Sequence, residues 1–286
     1  MRRFSGHMFH VKCMSTEDFE FAVNLTNQMD WKLSREDFEL MLKLEPQGSF
    51  VLLDNSERVG ISTTVSFGKI GWFGNLLVSR GSRQKGGGSQ LVRQSIEYLK
   101  SKNVETIGLY AYTDKIPFYE QLGFKYDSEF VVLKGKDFSP PVKSHLEKAE
   151  KKDVRKIIAC DRLCFGESRE KLLKPIILDP DNLCYAMIDD GQVLGYSVAK
   201  VYRGMAEVGP LVSLQGRNDI AIALLNAVLN KLKDYELSLC APRREEAIIN
   251  ALKGYGLRED FRVSRMFLGP PAVNSCIYIA ESLERG

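Results

Sequence analysis

Residues 79–101 read SRGSRQKGGGSQLVRQSIEYLKS and place three consecutive glycines directly before a segment with helical periodicity. Glycine loses more conformational freedom on folding than other residues and adds no packing, so three together need a reason. They fall between a predicted strand that ends at Val78 and a predicted helix that begins near Ser89. The first N–H groups of a helix lack intrahelical partners and lie at the positive end of its dipole. Because glycines allow close approach to these amides, and Arg83 and Lys85 add positive charge, the stretch predicts a phosphate or pyrophosphate site.

Two well-known glycine-rich phosphate-binding motifs do not match this stretch. A P-loop needs the pattern GxxxxGK[ST], and no lysine followed by a hydroxyl residue stands after Gly88. A dinucleotide-binding fingerprint needs GxGxxG, and here Leu91 takes the place of the third glycine. A flexible surface turn would also tolerate three glycines and stays open as an alternative.

Composition excludes several classes of protein. Of the 286 residues, 44% are hydrophobic and 27% are charged, which is typical of a globular chain of one large or two ordinary domains. The net charge of +3 is too small to indicate nucleic-acid binding, and no apolar run approaches the roughly 20 residues of a membrane helix. The first residues carry two arginines but no apolar core of a signal peptide. We therefore expect a cytoplasmic protein without nucleic-acid or membrane partners.

The six cysteines do not follow a metal-binding pattern. No CxxC pair occurs, and only three histidines accompany them. Cys160 and Cys164 are four residues apart in a helical segment and so share a helix face. Half of a metal site is one interpretation, but a second ligand pair that would complete a tetrahedral site is missing from the sequence. We therefore expect small buried hydrophobic residues and no metal.

The sequence repeats at close to half its length. Residues 59–79, VGISTTVSFGKIGWFGNLLVS, are similar to residues 194–213, LGYSVAKVYRGMAEVGPLVS, and both predict two strands that end in Leu-Val-Ser. The two halves also share the order of their helical patterns, and two consecutive prolines mark the boundary between them. We predict an α+β (mixed α/β) fold with two tandem modules, 1–138 and 143–286. Each module is expected to be a mostly antiparallel mixed sheet flanked by helices.

Each module is expected to combine a meander of strands with alternating strands and helices. In the first module the predicted helices are 16–28, 35–44, 89–102 and 116–122, and the predicted strands are 7–13, 49–54, 58–67, 70–78 and 106–111. A final strand pair is predicted near residues 124–133.

The glycine stretch and a later segment resemble motifs of one enzyme family. LLVSRGSRQKGGGSQLVRQSIEYL resembles motif A of the GNAT superfamily of N-acetyltransferases, R/Q-x-x-G-x-G/A, with Arg83, Gly86 and Gly88 at its positions. Further along, PFYEQLGF is similar to the family's closing motif, in which a tyrosine precedes a short helix end and Gly-Phe. In the second half, CFGESREKLL, VGPLVS and SRMFLG resemble the degenerate second module of tandem members. The resemblance implies a tandem GNAT chain with catalysis in its first half.

The resemblance implies acetyl-CoA as the cofactor and gives roles to residues of the first half. The pyrophosphate is expected on the glycine loop, and the preceding strand end is expected to offer backbone groups to the pantetheine arm and the thioester. Tyr119 is expected to protonate the departing thiolate, with a core aromatic as the alternative. Many family members carry a cofactor-binding asparagine where this sequence has Tyr112, which puts that contact in doubt. The implied cofactor-binding residues are Leu77, Val78, Arg83, Gln84, Lys85, Gly86, Gly87, Gly88, Ser89 and Thr113.

The acceptor site is less well marked in the sequence. The attacking amine must be neutral, and Asp30 and Glu129 are the candidate carboxylates for its deprotonation. A solvated surface carboxylate is the alternative interpretation of both. By analogy with the family, Asn24, Trp31 and Trp72 are expected to line the acceptor pocket, with ordinary core packing as the alternative.

The second half carries a weaker form of the glycine loop. Only Gly216 remains there, and Asn218 and Asp219 stand where the first copy has glycines. These side chains would hold a phosphate away from the helix amides, so we expect no acetyl-CoA in the second module. The second module could still contribute to the acceptor pocket. The candidate polar contacts, with ordinary surface residues as the alternative, are Tyr202, Arg203, Glu207 and Arg265.

These features together predict an acetyl-CoA-dependent N-acetyltransferase. We expect direct transfer of the acetyl group to a primary amine of a small-molecule or amino-acid-like acceptor. A non-catalytic acyl-CoA-binding or sensing protein is one alternative, and a protein or peptide N-acetyltransferase is another.

Overall fold

The described residues of this computed structural model, 8–141, 146–202, 204–272 and 276–286, contain the series α-α-β-β-β-α-β-α-β twice, with one further strand before the first copy and one after the second. The first half contains β1 (Phe9–Cys13), α1 (Phe19–Asn27), α2 (Arg35–Leu44), β2 (Ser49–Asp54), β3 (Glu57–Phe67), β4 (Ile70–Val78), α3 (Gly87–Ser101), β5 (Thr106–Tyr112), α4 (Ile116–Glu120) and β6 (Lys125–Gly135). The second half contains α5 (Val154–Phe165), α6 (Glu170–Leu178), β7 (Leu183–Asp189), β8 (Gln192–Tyr202), β9 (Met205–Ser213), α7 (Asn218–Leu229), β10 (Glu236–Pro242), α8 (Glu246–Gly254), β11 (Arg258–Leu268) and β12 (Ile277–Ile279). The predicted α+β repeat is confirmed, while His7, in the first predicted strand, and Arg203 lie outside the described residues.

Helix α2 shows how local sequence fixes the elements that carry the site. Ser34 caps its N-terminus, because its hydroxyl accepts from the Asp37 N–H at 3.4 Å while the Asp37 carboxylate accepts from the Ser34 N–H at 2.8 Å. Phe38, Met41 and Leu44 follow at intervals of one helical turn and are all buried. This apolar stripe holds the helix, and with it the preceding loop, against the sheet.

Helix α3 begins two residues earlier than predicted. Gly86 is its N-cap and has a φ of 94°, a left-handed conformation that favours glycine. The turn at Gly86 directs the chain into the helix at once, so Gly87 and Gly88 form its first turn. The helix packs against the sheet through one face, which carries the buried residues Leu91, Val92 and Leu99.

The twelve strands of the described residues join one sheet, in which the two halves exchange their last strands. The order is β1-β2-β3-β4-β5-β11-β6-β10-β9-β8-β7, and β12 pairs with β9. Strand β11 of the second half pairs with β5, where Met266 lies opposite Leu109. Strand β6 of the first half pairs with β10, where Leu239 lies opposite Leu133. Each half therefore completes the sheet of the other.

The strand exchange corrects one sequence prediction. A final strand pair was expected near residues 124–133, but only the single strand β6 lies there. The antiparallel neighbour of β6 is β11, a strand of the second half, and not a second strand of the first half.

The two halves also share a hydrophobic core. Trp72 and Met41 of the first half belong to the same buried cluster as Ile157, Phe165 and Tyr196 of the second half. Cys160 and Cys164 lie in this cluster as well, which confirms them as small buried residues. The site described below is therefore supported by both halves.

Candidate active site

Strands β4 and β5 diverge and open a cleft in the first half. Their parallel pairing runs only from Ile70 opposite Thr106 to Trp72 opposite Gly108. Beyond that point β4 carries an irregularity in its pairing with β3, and Asn75 there has a φ of 51°. Such a bulge bends a strand away from its neighbour. The two strands then continue to Val78 and Tyr112 without pairing, so their facing backbone groups are available to a ligand.

The loop before α3 ends in a row of unbonded amides. Among the described residues, no oxygen accepts a hydrogen bond from the backbone N–H groups of residues 84–89. The side chains that flank this row fold back onto the loop: Arg83 Nε donates to the Val78 carbonyl at 2.8 Å, and Lys85 Nζ donates to the Gly81 carbonyl at 2.7 Å. Their positive charges thus lie beside the amides at the positive end of α3. This arrangement suits a phosphate group.

The three glycines serve different purposes. Gly86 takes the left-handed backbone conformation. At Gly87 an added Cβ would lie 2.5 Å from Leu52 Cδ2, so this glycine lets α3 pack closely on β2. At Gly88 the nearest atom to an added Cβ would be Phe118 Cζ at 3.7 Å, an ordinary contact. No contact within the described protein requires a glycine at this position. A pyrophosphate bound to the adjacent amides would require one, so this loop fits the cofactor that the resemblance implies.

Tyr119 lies on α4, on the same side of the sheet as α3. Its ring is buried against Phe73 of β4 and Phe124, with ring centroids 6.4 and 5.9 Å away. The hydroxyl makes no hydrogen bond to any residue within the described ranges. Burial raises the pKa of Tyr119 above its usual value, so the phenol stays protonated at neutral pH. It is therefore a proton donor that lacks an acceptor.

The loop between α1 and α2 spans the open end of the cleft. Trp31 Nε1 donates to the Tyr112 hydroxyl at 3.2 Å, and Arg83 of the glycine loop approaches Met29 Sδ at 3.7 Å. This loop therefore connects the end of β5 with the anion-binding loop. Its neighbours Asn24 and Asp30 are exposed. Thr113, also exposed, follows β5.

Two of the predicted acceptor residues lie elsewhere. Trp72 is 1% exposed and packs between Tyr110 and Phe267, with ring centroids 5.2 and 6.1 Å away, so it is a core residue and not the wall of an open pocket. Glu129 lies on β6, which β11 separates from β5, and its carboxylate lies 3.5 Å from Arg262. A partly exposed, paired carboxylate in that position does not border the cleft.

The second half contains an equivalent cleft, but the chain itself fills it. Strands β9 and β10 pair only from Met205 opposite Glu236 to Glu207 opposite Ser238 and then separate. Residues 276–286, here called the threaded segment, pass between them. Within this segment β12 pairs with β9, and the Ala280 N–H donates to the Cys240 carbonyl of β10 at 2.8 Å. The backbone of the segment thus satisfies the groups that the equivalent cleft in the first half leaves open.

The second anion-binding loop is also satisfied internally. The Asp219 carboxylate accepts from Arg217 at 3.0 and 2.8 Å. The Arg217 hydrogen bonds, opposed by desolvation and aided by backbone N–H groups at the start of α7, lower the pKa of Asp219 to about 2. A carboxylate therefore already lies where the first half would receive a phosphate.

The polar residues expected to reach the acceptor pocket from the second half have several roles. Arg265 is buried and forms an ion pair with Asp127 at 2.8 Å. Glu207 forms an ion pair with Lys200 at 2.7 Å, and Tyr202 is half exposed.

Comparison with family models decides the family. The model of the acetyltransferase (GNAT) family matches residues 15–124, and the model of an acetyltransferase (GNAT) domain matches residues 157–278. This chain is a tandem GNAT protein. The two matches fall on the two copies of the fold, one in each half. Tandem GNAT architecture thus accounts for the internal repeat.

Individual relatives agree with an acyltransferase enzyme. Holothin acyltransferase from Pseudoalteromonas sp. is 23% identical over 282 residues, covering 96% of this chain and 94% of the relative. Uncharacterized N-acetyltransferase YitH of Bacillus subtilis is 23% identical over 197 residues, 68% of each chain. A putative acetyltransferase from Pyrococcus horikoshii shares the fold with a TM-score of 0.81 at 19% identity, covering 100% and 98% of the two chains. The family and these names favour the enzyme over the sensing protein considered as an alternative.

In the ranges that the structure covers, no helix combines the length and apolar character of a membrane span. Sequence reasoning missed two features of the structure around the clefts: the bulge at Asn75 and the threaded segment. The apolar run at residues 277–280 signals a strand, but nothing local identifies its partner.

Proposed function

We propose that this tandem GNAT protein transfers the acetyl group of acetyl-CoA directly to a primary amine of a small-molecule or amino-acid-like acceptor, in the cleft between β4 and β5. The observation that carries the proposal is the row of unbonded amides at residues 84–89, which Gly88 leaves accessible. This row lies beside Val78, the last residue of the diverging strand β4. A row of free N–H groups beside an unpaired strand end suits a ligand that combines phosphates with an extended arm.

The residues around the cleft would hold the cofactor in two places. The amides of residues 84–89, with Arg83 and Lys85 beside them, would bind the pyrophosphate. Leu77 and Val78 on β4 and Thr113 after β5 would border the pantetheine arm. When bound, acetyl-CoA supplies an activated acetyl thioester. A backbone N–H at the unpaired end of β4 would stabilise negative charge on the thioester oxygen.

Tyr119 supplies the proton that acyl transfer requires at the sulfur. As the amine nitrogen bonds to the acetyl carbon and the carbon–sulfur bond breaks, the sulfur takes up negative charge. The Tyr119 hydroxyl, protonated and without another acceptor in the described structure, donates a proton to it. Its burial among Phe73, Phe118 and Phe124 keeps competing water away.

The test is Tyr119→Phe, which removes only the hydroxyl. Thiol release from acetyl-CoA would be followed with a panel of primary amines, amino acids and a lysine-containing peptide, which separates small acceptors from protein acceptors. We expect kcat to fall by about 10–10⁴-fold and acetyl-CoA affinity to stay the same. Tyr126→Phe, which changes a 52% exposed tyrosine outside the cleft, is the control. An unchanged kcat in Tyr119→Phe would remove Tyr119 from the mechanism.

A further inference from the structure

The threaded segment continues beyond the second cleft and ends against β4, at the point where β4 and β5 begin to separate. The Glu284 Cα lies so close to Gly74 of β4 that a Cβ added to Gly74 would be 2.8 Å from it. Gly286 packs on the ring of Trp72, and its carbonyl accepts from Arg169 at 2.7 Å. Trp72 and Gly74 face away from α3, because Gly71, which alternates with them, faces Leu99 of that helix. The segment therefore reaches the cleft from the side opposite the anion-binding loop.

Among the described residues, the charged groups around Glu284 contain one carboxylate more than they contain cations. Lys200 Nζ donates to Glu281 at 2.6 Å and lies 2.7 Å from Glu207, and Arg285 Nε donates to Glu281 at 2.9 Å. Two cations thus serve two carboxylates. The third carboxylate, Glu284, has no hydrogen bond or ion pair through its side chain to any described residue. Glu284 is partly buried, and a partly buried carboxylate without a cation partner is less favourable than a paired one.

The surroundings of Glu284 weaken its ionisation. The charged and titratable groups around it are Lys200, Glu207, Cys240, Glu281 and Arg285. Burial raises the pKa of Glu284, the carboxylate charges of Glu207 and Glu281 raise it further, and Arg285 and Lys200 oppose them. A carboxylate with a raised pKa is a stronger base than an exposed one.

A second unpaired acceptor lies beside Gly74. Asn75, at the bulge of β4, is 8% exposed, and its Oδ1 is buried without a partner, while its Nδ2 donates to Thr63 Oγ1 at 3.1 Å. Buried polar atoms without partners are rare, and an ordered water, an ion or a ligand is the usual partner of such an atom. Asn75 Oδ1 and the Glu284 carboxylate are both acceptors and suit a ligand with several donors, while the nearby Trp72 Nε1 is a buried donor that also has no partner among the described residues. A primary ammonium carries three N–H donors and one positive charge.

Aromatic side chains continue from Glu284 towards the open end of the cleft. Leu283, Tyr110 and Phe261 all pack against the buried cluster that contains Phe130 and Ala280. Phe261 also lies against Tyr112, with ring centroids 5.5 Å apart. Tyr112 accepts from Trp31 of the α1–α2 loop. This row offers contact area to an apolar or planar body attached to the amine.

We propose that Glu284 receives the ammonium group of the acceptor and takes its proton, with Asn75 as a second acceptor, and that the acceptor is a primary amine on an apolar or aromatic body. This inference rests on the proposed acetyl transfer. One proton passes from the ammonium to the Glu284 carboxylate, which leaves the nitrogen lone pair free to form the bond to the acetyl carbon. The nitrogen loses a second proton as the amide forms, and this proton replaces the one that Tyr119 gives to the sulfur. The second half thereby supplies a residue of the first half's site.

Glu284→Gln tests the inference with the full chain and 2-phenylethylamine as the probe. We expect kcat/KM at pH 7 to fall at least 100-fold, acetyl-CoA affinity to stay unchanged, and activity to recover as the pH rises towards the pKa of the free amine. Glu97→Gln, which changes an exposed carboxylate on α3, should behave as wild type. If the wild-type protein acetylates the probe and Glu284→Gln does so equally well over the whole pH range, the role of Glu284 is refuted while the proposed function stands.

Two further measurements do not depend on turnover. Removing an uncompensated carboxylate should raise the thermal unfolding midpoint, whereas loss of a structural ion pair would lower it, so a lower midpoint overturns the inference. At pH 7, 2-phenylethylamine should protect the wild-type protein from thermal unfolding more than the uncharged 2-phenylethanol does, and Glu284→Gln should lose this difference. Equal protection of both proteins by the amine would contradict the inference, whereas a protected wild-type protein that acetylates no amine would contradict the proposed function alone.

Discussion

Replacing each of the three loop glycines by alanine separates the needs of the fold from those of the ligand. At Gly88 the added Cβ meets no atom closer than 3.7 Å, and its backbone is not left-handed. Gly88→Ala should therefore leave the free protein as stable as wild type or up to about 1 kcal/mol more stable. The same methyl would stand where the pyrophosphate approaches the amides. We expect the Kd for acetyl-CoA to rise at least 10-fold, about 1.4 kcal/mol of binding free energy.

The two neighbouring glycines are the matched controls. In Gly87→Ala the methyl would lie 2.5 Å from Leu52 Cδ2, and such overpacking costs about 1–3 kcal/mol of stability. In Gly86→Ala the residue would keep a φ of 94°, which costs about 1–2 kcal/mol. Urea unfolding and calorimetric titration with acetyl-CoA measure both quantities for each variant. Wild-type affinity in Gly88→Ala would refute the placement of the pyrophosphate on this loop.

Two further predictions concern stability. Asp18 is buried, and although burial opposes its charge, hydrogen bonds from Lys12 and Arg58 at 2.6 Å each outweigh that effect and lower its pKa to about 2. Its stabilising contribution is present above the usual pKa near 4 and is lost as pH falls towards 2, so Asp18→Asn should cost about 2 kcal/mol of stability at pH 7. Urea unfolding should show a smaller difference in unfolding free energy between wild type and Asp18→Asn at pH 3 than at pH 7. An equal difference at both pH values would contradict this prediction. Truncation after residue 139 removes β11 from between β5 and β6 and leaves the edges of both strands unpaired. Circular dichroism and gel filtration should therefore show an unfolded or aggregated fragment. A folded monomer that binds acetyl-CoA would show that the exchanged strand is dispensable.

Much of the first half could be predicted because its signals are local. The periodicity of α2 and the glycines before α3 fix those elements through nearest neighbours and caps, and Tyr119 follows from a short motif. The repeat in the sequence likewise predicts two copies of one fold. Roles of the individual site residues remain predictions.

The arrangement of the last strands could not be predicted from the sequence. Strands β6 and β11 have the same local pattern whether they pair within their own half or across to the other, since a strand's alternation does not identify its neighbour. Trp72 was misjudged for a related reason: an isolated tryptophan suggests a pocket wall, but the second half covers it and makes it core. Glu284 looks like one more surface carboxylate until the threaded segment places it against Gly74.

The central claim is that one acetyl-CoA binds per chain, in the cleft of the first half, because β12 and Asp219 fill the equivalent places in the second half. Native mass spectrometry of the full chain with excess acetyl-CoA measures this directly. We expect a single bound acetyl-CoA per chain, and we expect Gly88→Asp to abolish it, since its carboxylate would occupy the place of the pyrophosphate. Two bound molecules per chain, or one that persists in Gly88→Asp, would contradict the account.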